Sequence, residues 1–132
     1  MKRILVVDDD EPFRQSLRSL LECEGYAVVE AADGKQALHA VALRVPDLVL
    51  TDLVMPEAEG MELIQHLRAE EPEIPIIALT GDPRARAGGY LRMAELLGAQ
   101  RSFDKPVDTA QLLIAIRELT QARALGLRSK DK

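Results

Sequence analysis

Three consecutive aspartates, Asp8, Asp9 and Asp10, follow the apolar run Ile4-Leu5-Val6-Val7. A further aspartate, Asp52, closes the run around Leu48-Val49-Leu50; Thr80-Gly81 closes Ile76-Ile77-Ala78-Leu79; Lys105-Pro106 follows Ser102 to Asp104. If these runs are parallel strands that end side by side, three carboxylates, a hydroxyl and an ammonium share one pocket. Crowded carboxylates repel unless a cation neutralises them, and an oxygen-only donor set with room for water suits Mg2+. A hydroxyl donor and a positive charge beside such a metal are what a phosphoryl group needs as charge builds on its oxygens. A carboxylate can itself be the nucleophile and form an acyl phosphate. Taken one at a time, the same residues have a plainer reading, since an aspartate ahead of a helix is often only its N-cap. Asp10, Asp33 and Asp108 fit that role. Five chemically apt residues falling together at strand ends favour the phosphoryl-transfer pocket over coincidence.

The elements that must position these residues alternate along the chain. Ile4 to Val7 is uniformly apolar, as expected of a central parallel strand buried on both faces. Asp10 as cap and Pro12 in the first turn open a helix carrying Phe13, Leu17, Leu20 and Leu21 at helical spacing, and Gly25 closes it. Tyr26 to Ala31 reads as a second strand. Asp33 with Gln36 three residues on makes a capping box for a helix with the stripe Ala37, Leu38, Val41 and Ala42, ended by Pro46. A third strand lies within Asp47 to Asp52, followed by a loop with Pro56 and Gly60 and a helix bearing Leu63, Ile64 and Leu67. Ile76 to Leu79 is the fourth strand, Tyr90 to Leu97 a helix stopped by Gly98, and Ser102 to Asp104 a short fifth strand. Asp108, with Gln111, caps a last helix with Leu112, Leu113, Ile116 and Leu119. Strands alternating with helices in this way predict an α/β fold, a doubly wound parallel sheet covered on both faces, with right-handed crossovers. In such sheets ligands bind at the carboxyl ends of the strands, where the unusual residues fall.

Composition excludes several other classes. The 132 residues suit one domain, and 47% apolar with 30% charged residues is ordinary for a globular protein. The longest apolar runs are about four residues, far below the roughly 18 that span a bilayer, so no membrane insertion is expected. One cysteine, Cys23, excludes an internal disulfide framework and fits a cytoplasmic location. A net charge of −5 without basic clusters argues against direct nucleic-acid binding. His39 and His66, on separate helices off the apolar stripes, read as surface residues, and Met61, Met93 and Tyr90 as packing.

At this level of detail the sequence resembles the response-regulator receiver domain, the phosphate-accepting module of two-component signalling. The resemblance runs over about residues 2 to 120 and rests on ILVVDDD, PDLVLTDLVMPEAEG, IIALTG and GAQRSFDKPVD, in order. It implies a flavodoxin-like (βα)5 fold with strand order 2-1-3-4-5. It implies that Asp52 is the aspartate that becomes phosphorylated, that Asp9 binds Mg2+ directly, that Asp8 acts through a metal-bound water, and that the backbone carbonyl of Val54 is a further ligand. Thr80 matches the switch hydroxyl, Lys105 the lysine that pairs with the phosphate, and Gly81 the small residue whose N–H reaches it. The Lys105-Pro106 bond is usually cis in this family. The implied partners are a sensor histidine kinase or a histidine phosphotransfer protein, which supplies the phosphoryl group, and a downstream protein target that the sequence does not identify. The domain would catalyse its own phosphorylation and slow dephosphorylation. We expect a receiver over residues 1–125 and a polar tail over 126–132, with no output domain: a stand-alone regulator or a receiver cut from a longer protein.

Two departures from the family pattern stand out. Many receivers carry Tyr or Phe three residues before the lysine, where this chain has Ser102; Phe103 falls on the opposite face by period-two alternation. An open polar gap beside Thr80 is therefore expected in place of an aromatic slot. The segment Gly81 to Gly89 is about three residues longer than is common, and its arginines, Arg84 and Arg86, are candidates to pair with a phosphate and order the loop. A phosphatase of the haloacid-dehalogenase type is an alternative, with Asp8 as nucleophile in D-x-D, but a further acidic pair after the lysine strand and a cap insertion are missing from the sequence. A receiver-like scaffold that is never phosphorylated is a third reading, opposed by the intact acidic pocket.

Overall fold

Ile4, Leu5, Val6 and Val7 are each at most 1% exposed, the two-sided burial that a uniformly apolar run demands. The computed structural model describes residues 1–53, 59–81 and 89–124. Among the described residues, five strands and five helices alternate: β1 (Arg3–Val7), α1 (Glu11–Cys23), β2 (Ala27–Ala31), α2 (Gly34–Leu43), β3 (Leu48–Asp52), α3 (Glu59–Glu70), β4 (Ile76–Thr80), α4 (Tyr90–Leu97), β5 (Arg101–Asp104) and α5 (Thr109–Ala124). The strands are all parallel, in the order β2-β1-β3-β4-β5, as the resemblance implied.

Alternation along each strand splits the core in two. One layer joins Leu5, Val7, Val49, Ile76 and Ala78 to Ala37 and Val41 of α2, Leu63, Ile64 and Leu67 of α3, and Ala94 of α4. The other joins Ile4, Val6, Leu48, Leu50, Ile77 and Leu79 to Leu17 and Leu21 of α1 and Leu112, Ile116 and Leu119 of α5. Helices therefore cover both faces, which leaves the ends of the strands as the open sites on the sheet.

The predicted caps form. Asp10 Oδ1 accepts from Phe13 N–H at 3.2 Å, Asp33 Oδ1 from Gln36 N–H at 2.8 Å, and Asp108 Oδ1 from Gln111 N–H at 3.1 Å. Gln36 reaches back as a capping box requires, but to the Ala32 N–H (2.8 Å), one residue before the cap. Gly25 (φ +92°) and Gly98 (φ +133°) end α1 and α4 in backbone conformations that a side chain resists. Two expectations about packing need correcting. Ala42 is exposed, and buried Gly34 completes the α2 stripe in its place. Met93 is 49% exposed, because α4 turns the adjacent Ala94 to the sheet. His39 and His66 are exposed, as predicted. Among the described residues no helix is long and apolar enough to cross a membrane. Residues 126–132, Arg84, Arg86 and most of the 81–89 segment lie outside the described residues.

Candidate functional site

Each residue singled out at a strand end is held by one more backbone bond that continues the ladder. Asp8 N–H donates to Ala31 O (3.1 Å), Leu53 N–H, next to Asp52, to Leu79 O (2.8 Å), and Lys105 N–H to Thr80 O (2.8 Å). These bonds fix the backbone from which the side chains project, so the pocket inherits the rigidity of the sheet. Asp52 is the last residue of β3 and pairs in register with Leu79, one residue before Thr80. Asp8, Asp52 and Thr80 are at most 6% exposed, whereas Asp9 and Gly81 lie at the surface.

The side chains converge. Lys105 Nζ donates to Asp8 Oδ2 at 2.7 Å and lies 3.6 Å from Asp52 Oδ2. Asp8 Oδ1 accepts from Asp10 N–H at 2.9 Å. Carboxylate oxygens of Asp8, Asp9 and Asp52 all lie within 4.8 Å of one another. Three acidic groups this close, with one lysine among them, keep an excess of negative charge that a hard divalent cation would neutralise. The donors are all oxygens and one of the three residues faces solvent, which fits Mg2+ and the waters it retains. Val54, named above as a backbone ligand, lies outside the described residues.

Two glycines make room. A Cβ at Gly81 would stand 3.2 Å from Lys105 Cβ and 3.3 Å from its Cδ, so the bare α-carbon lets the lysine stem run alongside toward Asp8. A Cβ at Gly60 would stand 2.6 Å from Leu53 Cα, and would meet the Asp52 carbonyl oxygen as well. That close approach presses α3 against the end of β3. The Lys105-Pro106 peptide is cis.

Ser102 and Phe103 alternate as predicted: Ser102 pairs with Ala78 on one face, and Phe103 packs on the other with the α1 and α5 layer. The Ser102 hydroxyl donates to Glu95 Oε2 of α4 at 2.6 Å, so it ties β5 to that helix.

Sequence reasoning missed three contributors. Arg14 Nη1 donates to the Asp8 carbonyl at 2.7 Å, while its Nε donates to Glu30 Oε1 at 2.8 Å. Arg18 Nη1 holds the other Glu30 oxygen at 2.9 Å, and these two arginines, Arg18 first, draw the Glu30 carboxyl below the usual range. The ring of Phe13 lies 4.1 Å, centroid to Nζ, from Lys105. Gly60 read only as loop punctuation. The one signal available was position, since Phe13 and Arg14 lie within the first turn after Asp10.

A response regulator receiver domain model matches residues 4–117. The response regulator MprA of Mycolicibacterium vanbaalenii is 42% identical over 118 residues, 89% of this chain but 49% of that protein. The chain thus spans about half the length of the curated relatives it matches. A response regulator receiver domain protein from Clostridium thermocellum superimposes with a TM-score of 0.84 at 30% identity, over 96% of this chain and 100% of that one. The response regulator protein TrrA of Thermotoga maritima, in complex with Mg2+ and BeF, does so with a TM-score of 0.79 at 31% identity, over 90% and 99%.

Proposed function

The chain belongs to the response regulator receiver domains, and on that premise we propose that Asp52 accepts a phosphoryl group from a phosphohistidine in an Mg2+-dependent reaction. The observation that carries this is the convergence of Asp8, Asp9, Asp52 and Lys105 at the carboxyl edge of the sheet. An Asp52 carboxylate oxygen forms the new P–O bond as the P–N bond of the phosphohistidine breaks and its electron pair returns to the imidazole. Asp8, Asp9 and Asp52 would hold the cation, which supplies charge neutralisation for the phosphoryl oxygens when bound. Lys105, 3.6 Å from Asp52 Oδ2, is within a small side-chain movement of an oxygen of the new phosphate. Thr80 supplies a hydroxyl one residue beyond the position paired with Asp52. Gly81 offers an N–H at the same edge without crowding the lysine.

The partners follow from this chemistry: a sensor histidine kinase or histidine phosphotransfer protein as donor, and a protein that reads the phosphorylated surface. Asp8, the nucleophile in the alternative reading, already accepts hydrogen bonds at both carboxylate oxygens, from Asp10 N–H and Lys105. Incubation with acetyl phosphate, followed by intact mass, tests the proposal. One added phosphoryl group is expected with Mg2+, none with EDTA and none in Asp52→Asn. Uptake that survives EDTA or Asp52→Asn contradicts it.

A further inference from the structure

Among the described residues the Lys105 ammonium has three close neighbours, and the acidic pocket accounts for two of them. Asp8 Oδ2 accepts its hydrogen bond at 2.7 Å, and Asp52 Oδ2 stands at 3.6 Å. The third neighbour is the Phe13 ring, whose centroid lies 4.1 Å from Nζ. A cation within about 6 Å of a ring centroid is attracted to the negative face of the π system.

The contact is built into the local fold. Phe13 N–H donates to Asp10 Oδ1 at 3.2 Å, which seats the first turn of α1. Asp10 N–H donates in turn to Asp8 Oδ1 at 2.9 Å. Asp8, Asp10, Phe13 and Lys105 therefore form a closed circuit of four contacts, in which the ring is the one member that carries no formal charge. An aliphatic side chain at position 13 would fill the same half-buried place against the α1 and α5 layer, but would offer the ammonium nothing. The ring's attraction also does not depend on the state of the carboxylates. Metal binding or phosphorylation changes what Asp8 and Asp52 offer the lysine, whereas the ring stays as it is.

We propose that Phe13 is a positioning residue for phosphoryl transfer: the face of its ring holds the Lys105 ammonium where it reaches the oxygens of Asp52. This rests on the reading of Asp52 as the phosphoacceptor. The test is a double-mutant cycle on the full chain, with Phe13→Leu and Lys105→Met, timing phosphoryl uptake from acetyl phosphate at saturating Mg2+. Phe13→Leu is expected to slow uptake at saturating donor by roughly three- to tenfold, the range of a partly desolvated cation–π contact, with little change in the donor concentration for half-maximal rate. Phe13→Tyr, which keeps the ring face, restores the rate. In the Lys105→Met background Phe13→Leu has no further effect. Where that background is too slow to time, the same cycle is read on beryllofluoride affinity, and Phe13→Met replaces Phe13→Leu if the latter does not fold. An unchanged rate in Phe13→Leu, no rescue by Phe13→Tyr, or an equal loss with and without Lys105 makes the ring plain core packing and overturns the proposal. A wild-type chain that gains no phosphoryl group lost in Asp52→Asn refutes the phosphoacceptor reading instead, so the two failures are distinct.

Discussion

Gly60→Ala probes whether the approach of α3 to β3 sets the position of Asp52. The new methyl carbon would lie 2.6 Å from Leu53 Cα and 2.7 Å from Leu53 O, where ordinary contact begins at 3.4 Å. The three nearest atoms are all backbone, so none of them can rotate aside, and the helix and strand must separate by most of an ångström. Overpacking of this kind costs about 1–3 kcal/mol, and exchanging glycine for alanine in a helix returns about 0.5–1 kcal/mol. The net loss is about 1–2 kcal/mol, a fall in melting temperature on the order of 4–8 °C for a domain of this size. Because the displaced backbone is that of Asp52 and Leu53, the rate of phosphoryl uptake should fall as well. Ile116→Val serves as a control: Ile116 is fully buried on α5 in the other core layer, and its truncation costs about 1 kcal/mol without touching the pocket. Thermal melts and acetyl phosphate uptake, measured on both variants, decide the matter. A Gly60→Ala protein as stable as wild type, or one destabilised with an unchanged rate, refutes the reasoning.

Asp9→Ala should weaken Mg2+ binding, measured by titration calorimetry, while its melting temperature in EDTA is no lower than wild type, since one of three crowded carboxylates is gone; a large drop in EDTA would count against the crowding argument. Glu30 is held below the usual carboxylate range by Arg18 and Arg14, so its contribution to stability is full above that range and is lost as pH falls through its folded-state pKa. The stability gap between wild type and Glu30→Gln, from urea melts, should therefore be widest near neutral pH and close in acid; a gap that widens in acid contradicts the pairing. Arg68 donates to Pro72 O at 2.7 Å and Gly98 O at 2.9 Å, joining the end of α3 to the end of α4. Arg68→Ala should cost about 1–3 kcal/mol yet leave phosphoryl uptake unchanged, because those bonds lie at the opposite end of β4 from Thr80; a matching loss of uptake would show that the two ends are coupled.

How much of this was legible in the sequence depended on whether a feature is local. Strands β1 and β4 announce themselves as uniformly apolar runs and β3 as Leu48-Val49-Leu50 before Thr51, and the aspartates at the ends of β1 and β3, Asp8 and Asp52, are the ones that meet Lys105. The caps at Asp10, Asp33 and Asp108 are likewise written within four residues. The face on which Ser102 lies follows from alternation, but its hydroxyl's partner does not: Glu95 sits on another element, and nothing in the spacing points to it. The same holds for Gly60 against Leu53, Arg14 against the Asp8 carbonyl and Glu30, and Phe13 against Lys105, 92 positions away. Periodicity identifies which way a residue faces; the neighbour it meets there is set by sheet order and register. Met93 shows the limit on a short helix, where eight residues carry too few turns to separate the buried side from its flank.

The central claim is that Asp52, and no other carboxylate of the pocket, carries the phosphoryl group. Borohydride reduces an aspartyl phosphate to homoserine, which marks the acceptor permanently for peptide mass mapping. After incubation with acetyl phosphate and Mg2+, the mark is expected on Asp52 alone. A mark on Asp8, or on Asp9, would contradict the account and return the chain to the alternative chemistry in which the first strand supplies the nucleophile.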